Sequence, residues 1–254
     1  MLTITRYVLI DLLKNRSVAV YALVLAALSA SLLGLEENAR GLLSLLNVTL
    51  LFVPVITTLF ATIYFFNSLE FIELLLSQPV KRGRVLMACY AGMAFSLSAA
   101  FMAGVGIPLL ILAPTGPALI LLGAGVLLNC IFTALALLAF VLMKDKTKGI
   151  GAAIVVSLFF TLLFDGLVMF FIYAFSDYPV DKVLIGLITL NPVDLARVLM
   201  LLQLDAAVLM GYSGALFKKF LGTPAGSIYS VISLVLWAAA PLLLAVKVFR
   251  RKDL

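Results

Sequence analysis

The chain contains no histidine, and its two cysteines, Cys89 and Cys130, both fall inside long apolar runs. The usual donors for a transition metal are therefore missing, and no disulfide framework can be drawn. Charge is scarce as well. Asp, Glu, Lys and Arg make up 12% of the 254 residues, against roughly 25% in soluble domains. No GxxxxGKS/T stretch occurs, so the chain holds no nucleotide through a P-loop. GxSxG, HExxH and any His–carboxylate cluster are absent too, and no catalytic constellation can be named. An internal repeat, or Gly/Pro-broken spans at matching positions in two halves, would mark a secondary transporter, and neither is visible. If this chain moves something, the driving energy comes from elsewhere.

What the chain has is apolar length. Apolar residues make up 65% of it, and the mean hydropathy is +1.24. Spanning the hydrocarbon of a bilayer takes about 20 apolar residues as a helix. That length is met at 17–35, 43–66, 86–112, 117–143, 150–175 and 226–248. The runs are continuous rather than alternating, which argues against a barrel. The expected fold is an all-α integral membrane protein with six transmembrane helices in a single domain over 1–254.

The net charge of +6 is read by location and not as a nucleic-acid signal. Arg6, Lys14, Arg16, Lys81, Arg82, Arg84, Lys144, Lys146, Lys148, Lys247, Arg250, Arg251 and Lys252 fall on one side of this topology. Arg40, Lys182, Arg197, Lys218 and Lys219 fall on the other. The excess of bases marks the cytoplasmic side, so both termini are expected there.

Residues 1–16 scatter Arg6, Asp11, Lys14 and Arg16 among apolar positions. They lack the core of a signal peptide and suit a helix in the interface, its bases near lipid headgroups. In the external segment 176–225, Asn191-Pro192-Val193-Asp194 starts a helix with an Asn cap, a proline at the first helical position and an acid in the first turn. The pieces from 192 to 222 are expected to lie along the outer surface or half-inserted. A seventh span over about 195–216 would bury Gln203 and Asp205 and disturb the charge balance. Asp165 lies deep in the fifth run, where an acid costs about 2.5–3.5 kcal/mol on insertion scales. Two readings stand for it: a pathway or gating residue, or a group hydrogen-bonded at a helix or dimer contact. Asn129 is a milder polar point of the same kind.

Between the second and third runs lies SLEFIELLLSQPVKRGRVL, residues 68 to 86. Its acid, Leu-rich run, Ser-x-Pro-Val turn and following bases resemble the type-2 ABC exporter permease family, as does the order of the whole chain. The resemblance implies that 68–78 form a coupling helix docked in a groove of a separate ATPase, with Glu70, Phe71, Ile72, Glu73 and Ser77 as its contacts. The chain departs from the family in lacking the Gly-Thr that often precedes the second acid, which leaves the start of this helix open. Within the family, the length and Leu190–Arg197 resemble the NosY-type permeases, which support assembly of the copper–sulfur centre of nitrous oxide reductase.

That likeness implies a chain without cofactors or metal of its own, with ATP and Mg in a dimeric cytoplasmic ATPase. It also implies a second copy of the chain, and a periplasmic β-helical protein seated on Asn191, Asp194 and Arg197. Membrane lipids would be the remaining partners, without nucleic acid. The cargo would be copper or a sulfur species. The alternatives are an exporter of another small molecule or lipid, an autonomous carrier or channel centred on Asp165, and a scaffold with no transport path.

Overall fold

The structure is a computed structural model, and it describes residues 2–36, 38–175, 181–203 and 222–251. Regular structure among the described residues is entirely helical. Six helical stretches are long and apolar enough to cross a membrane, namely Arg16–Leu35, Ala39–Asn67, Arg82–Leu112, Gly116–Leu142, Lys146–Ala174 and Ala225–Arg251.

The first helix, α1 (Leu2–Leu13), buries Val8 and Leu12, an i, i+4 pair on one face. It lies on α5 (Arg82–Phe101), where Gly92 makes room. A Cβ at Gly92 would sit 2.6 Å from Val8 Cγ1. The Thr5 hydroxyl donates to Ala88 O at 3.4 Å. Asn15 then caps α2 (Arg16–Leu35), its side chain accepting from Ser17 N at 2.9 Å. The next elements are α3 (Asn38–Asn67) and the short α4 (Leu69–Leu76).

The third span is irregular for a reason visible in its sequence. After α5 comes a π-helical turn, Met102–Gly106, and then α6 (Ile107–Leu112), which carries Pro108 in its first turn. A proline cannot donate to the carbonyl four residues back, and that carbonyl is Gly104 O. Ser29 of α2 supplies the missing donor, its hydroxyl reaching Gly104 O at 2.8 Å. The glycine also admits α2: a Cβ there would lie 2.7 Å from Ala22 O.

At the centre of the bundle stands α7 (Gly116–Leu142), packed against α3, α5 and the last helix. Sixty-one per cent of its apolar window is buried, against 17% for the span Lys146–Ala174. The former is the core, and the latter turns most of its surface outward to lipid or a neighbour. That outer span is α8 (Lys146–Leu158), a second π-helical turn at Phe159–Leu163, and α9 (Phe164–Ala174). Two helices, α10 (Asp181–Thr189) and α11 (Pro192–Gln203), follow with a bend of 111° between them. The last helix is α12 (Pro224–Arg251).

Two readings stand for 192–222, along the outer surface or half-inserted, and the first is corrected here for α11. α11 does not lie along the outer surface: Val193, Leu195, Ala196 and Met200 are fully buried, and the helix packs against α12, α7, α3 and the second π turn. A helix apolar all round is stable only when covered all round. The second external piece expected before residue 222 falls on 204–221, outside the described residues.

Ser29→Ala should cost about 1 kcal/mol, in the range of interhelical hydrogen bonds within membranes, read as thermal unfolding in detergent. In a Pro108→Ala background an N–H becomes available near Gly104 O, so Ser29→Ala should cost less there. Equal costs in both backgrounds would show that the proline does not create the need for Ser29.

Candidate functional site

Two places carry the polar information of this chain. The first is α4. Ser68 N donates to Tyr64 O at 2.9 Å, and Ile72 N donates to Ser68 O at 2.9 Å, so α4 continues the hydrogen-bonding of α3 across the short break. Glu70, Glu73, Leu74 and Ser77 are exposed, and their i, i+3, i+4, i+7 spacing places them on one face. Leu74 is 61% exposed. Neither carboxylate has an ion-pair partner among the described residues.

The opposite face belongs to the protein itself. Ile72 is fully buried in the core, with Leu69, Leu75 and Leu76 packed beside it. Phe71 stacks on Tyr7 of α1, with ring centroids 5.4 Å apart and an interplanar angle of 26°. The expectation that Phe71 and Ile72 fill a partner's groove is therefore corrected. Ile72 is an anchor and Phe71 is held by α1, while Leu74 is the apolar residue presented outward. Nearby, Lys146 Nζ donates to Asn67 Oδ1 at 2.7 Å, and Gly149 sits against the Phe66 ring. The start of α8 is thereby fixed to the end of α3.

The second place is a cluster built around the hairpin α10–α11. Asn191 caps α11, its Oδ1 accepting from Val193 N at 3.0 Å. Its amide donates to Asp194 Oδ2 at 2.8 Å and to Phe160 O, in the second π turn, at 2.9 Å. Arg197, one turn after Asp194, donates from Nη1 to Asp194 Oδ1 at 3.0 Å. The same nitrogen reaches both carboxylate oxygens of Asp165, at 2.7 and 2.9 Å. The acid of the fifth span thus has a base, and that base comes from the segment expected to lie outside. Arg197 and Asp165 retain 27% and 38% of their side-chain exposure, whereas Asp194 keeps 7%.

The hairpin is held from α12 as well. Trp237 Nε1 donates to Thr189 O at 2.9 Å, and the Thr189 and Tyr229 hydroxyls lie 3.2 Å apart. The expectation that Asn191, Asp194 and Arg197 form a platform for an external partner is not how the structure uses them. Asn191 is fully buried, Asp194 nearly so, and all three are turned toward one another and the π turn. Asn129 belongs to neither place. It accepts from the Thr57 hydroxyl at 2.6 Å and donates to Gly125 O at 3.1 Å, joining α7 to α3. Cys89 and Cys130 are both free thiols. Among the described residues no group of three His, Cys, Asp or Glu could hold a metal ion.

Removing Arg197 would leave two carboxylates facing each other, one of them buried. Arg197→Met should destabilise by the lower end of the about 3–5 kcal/mol known for breaking buried pairs, because solvent screens part of this one. Asp165→Asn keeps an acceptor for the guanidinium and should cost about 1 kcal/mol. Thermal unfolding of the two variants in the same detergent checks the order. A cost for Asp165→Asn equal to that of Arg197→Met would show that Arg197 is not shared between the two acids.

No protein-family model matches the chain. Two relatives match it over nearly their whole length. One, from Pseudomonas aeruginosa, is named "Probable ABC transporter permease protein NosY" and is 30% identical over 274 aligned positions, covering 99% of this chain and 98% of the relative. The other, from Stutzerimonas stutzeri and of the same name, is 27% identical and covers 98% and 97%. Six membrane-length helices with a short helix between the second and third, together with this end-to-end identity, place the chain: it belongs to the NosY family of ABC transporter permeases.

Proposed function

We propose that this permease works as a symmetric pair on the two grooves of a cytoplasmic ABC ATPase dimer. α4 is the element that receives the force of ATP hydrolysis. The observation that carries this is the face Glu70, Glu73, Leu74, Ser77: acidic, flanking one exposed leucine, its carboxylates without an ion-pair partner among the described residues, and braced from behind by Ile72. An amphipathic helix presented in this way suits a groove lined by apolar and basic groups. Nucleotide and Mg would be bound by the partner. This subunit would contribute no catalytic residue and would sit in the bacterial inner membrane with both termini cytoplasmic.

The NosY-type resemblance carried by Leu190–Arg197 implies a narrower role, in the assembly of the copper–sulfur centre of nitrous oxide reductase. The cargo, or the state signalled across the membrane, would then be a copper or sulfur species. With no histidine in the chain and two cysteines, a sulfur species suits it better than bare metal. A β-helical periplasmic partner belongs to the same assignment, but Asn191, Asp194 and Arg197 would not be its contacts. An autonomous carrier centred on Asp165 is disfavoured, since that carboxylate is held by Arg197.

Charge reversal at both acids, Glu70→Lys with Glu73→Lys, should lower copurification of the ATPase and its stimulation by about tenfold or more, as loss of paired interfacial charges does. Leu74→Ala should weaken the complex further, and the unaltered chain in the same detergent sets the reference. Phe71→Ala should act less directly, through the loss of the stack on Tyr7. An unchanged complex and unchanged ATPase activity in the double reversal would rule out α4 as the docking element. For the narrower assignment, a denitrifying host lacking this chain should make nitrous oxide reductase without its copper–sulfur absorption. Normal spectra there would leave the permease reading intact and remove the maturation role.

A further inference from the structure

At the end of the bundle where α5 begins and α12 ends, Lys81, Arg82, Arg84 and Arg250 line a cavity of about 640 Å³ together with Gly83 and Met87. The bases come from stretches more than 160 residues apart in the chain, and a glycine brings them together. A Cβ at Gly83 would lie 2.8 Å from Arg250 Nε and 3.1 Å from its Nη2, so the guanidinium rests on the bare backbone of α5. Among the described residues, the cavity walls carry no acid. The side chains of Lys81, Arg84 and Arg250 have no hydrogen bond or ion pair among the described residues. Collecting like charges around one space is unfavourable unless an anion shares it.

We infer that this cavity is a binding site for the phosphate of an anionic phospholipid headgroup. Guanidinium groups present fixed pairs of donors that match phosphate oxygens, and basic pockets between membrane helices on the cytoplasmic side hold such headgroups. The depth fits a lipid rather than a soluble phosphate. Met87 gives the cavity an apolar floor, and Leu243, two turns deeper on the face of α12 that carries Arg250, is 65% exposed. A headgroup among the bases can therefore run its acyl chain along Leu243. This end of the bundle is the one proposed above as cytoplasmic, but the preference for an anionic headgroup does not depend on that orientation or on the ATPase.

The test uses the full-length protein in detergent, with retained lipid counted by native mass spectrometry after adding phosphatidylglycerol, cardiolipin or phosphatidylethanolamine. Arg84→Gln and Arg250→Gln are measured singly and together. Lys144→Gln, in the α7–α8 turn outside the cavity, removes the same charge as a control. The anionic lipids should be retained over phosphatidylethanolamine, and each cavity base removed should weaken binding about fivefold, the equivalent of about 1 kcal/mol per base. Lys144→Gln should leave binding unchanged. The single variants are read beside the double, so a folding defect in the double does not decide the result. Equal retention of all three lipids overturns the inference, as does an equal loss in Lys144→Gln. Displacement of the lipid by millimolar inorganic phosphate overturns it in favour of a soluble anion. Loss of the ATPase partner with lipid binding intact overturns it in favour of a protein contact.

Discussion

A carbonyl freed from a helix in hydrocarbon has no water to accept from, so each irregularity of a membrane bundle needs a donor from another segment. This bundle meets that constraint at each of its breaks that the hydrogen bonds describe. Pro108 frees Gly104 O, and Ser29 reaches it from α2. The second π turn leaves Phe160 O to the amide of Asn191. The end of α10 leaves Thr189 O to the indole of Trp237. The breaks are thus the places where helices distant in sequence are tied together. Two of the bonds that hold the hairpin α10–α11 are of this kind.

The charged cluster follows from the same logic. An acid within an apolar span is costly alone, and a buried carboxylate at the start of α11 would be costly too. Sharing Arg197 between them, with Asn191 taking the remaining oxygen of Asp194, satisfies both and fixes where the hairpin can go. α11 must lie inside the bundle, close enough to α9 for a guanidinium to reach. Its apolar residues then meet α3, α7 and α12. α3 is one continuous helix that contacts α11 and leads into α4, so the hairpin and the exposed acidic face rest on the same rod.

Much of this was legible beforehand, and the failures have a common cause. Six apolar runs, the helix after Ser68 and the Asn-Pro cap at Asn191 are local patterns, and local patterns survive folding. Asp165 looked unpaired because its base was counted by loop rather than by helix. Arg197 sits one turn after Asp194 in an apolar helix, a pattern too hydrophobic for a surface, and that was the available signal. Ile72 and Phe71 neighbour the acids in sequence, but neighbours in a helix point to different faces. The helical spacing of Glu70, Glu73, Leu74 and Ser77 excludes Ile72 from that face by simple rotation. The meeting of Gly83 with Arg250 joins the third span to the last helix, and no local pattern carries that information.

α4 itself is not an isolated lever. Its inner face is set by three neighbours: Ile72 fills the core, Phe71 lies on Tyr7, and the backbone runs on from α3. Tyr7 belongs to α1, which Val8 and Gly92 lock to α5. A push on the exposed face of α4 is therefore resisted by α1 and α5 as well as by α3. The first turn of that same α5 lines the basic cavity with Arg250. A partner bound at α4 and an anion held at the start of α5 would bear on one helix from adjoining positions. Displacement of α5 would change the spacing of Lys81 and Arg84 against Arg250, and with it the fit of any headgroup between them. Lipid at the one place and force at the other, if both proposals hold, would meet through α5, which α4 contacts and whose first turn lines the cavity.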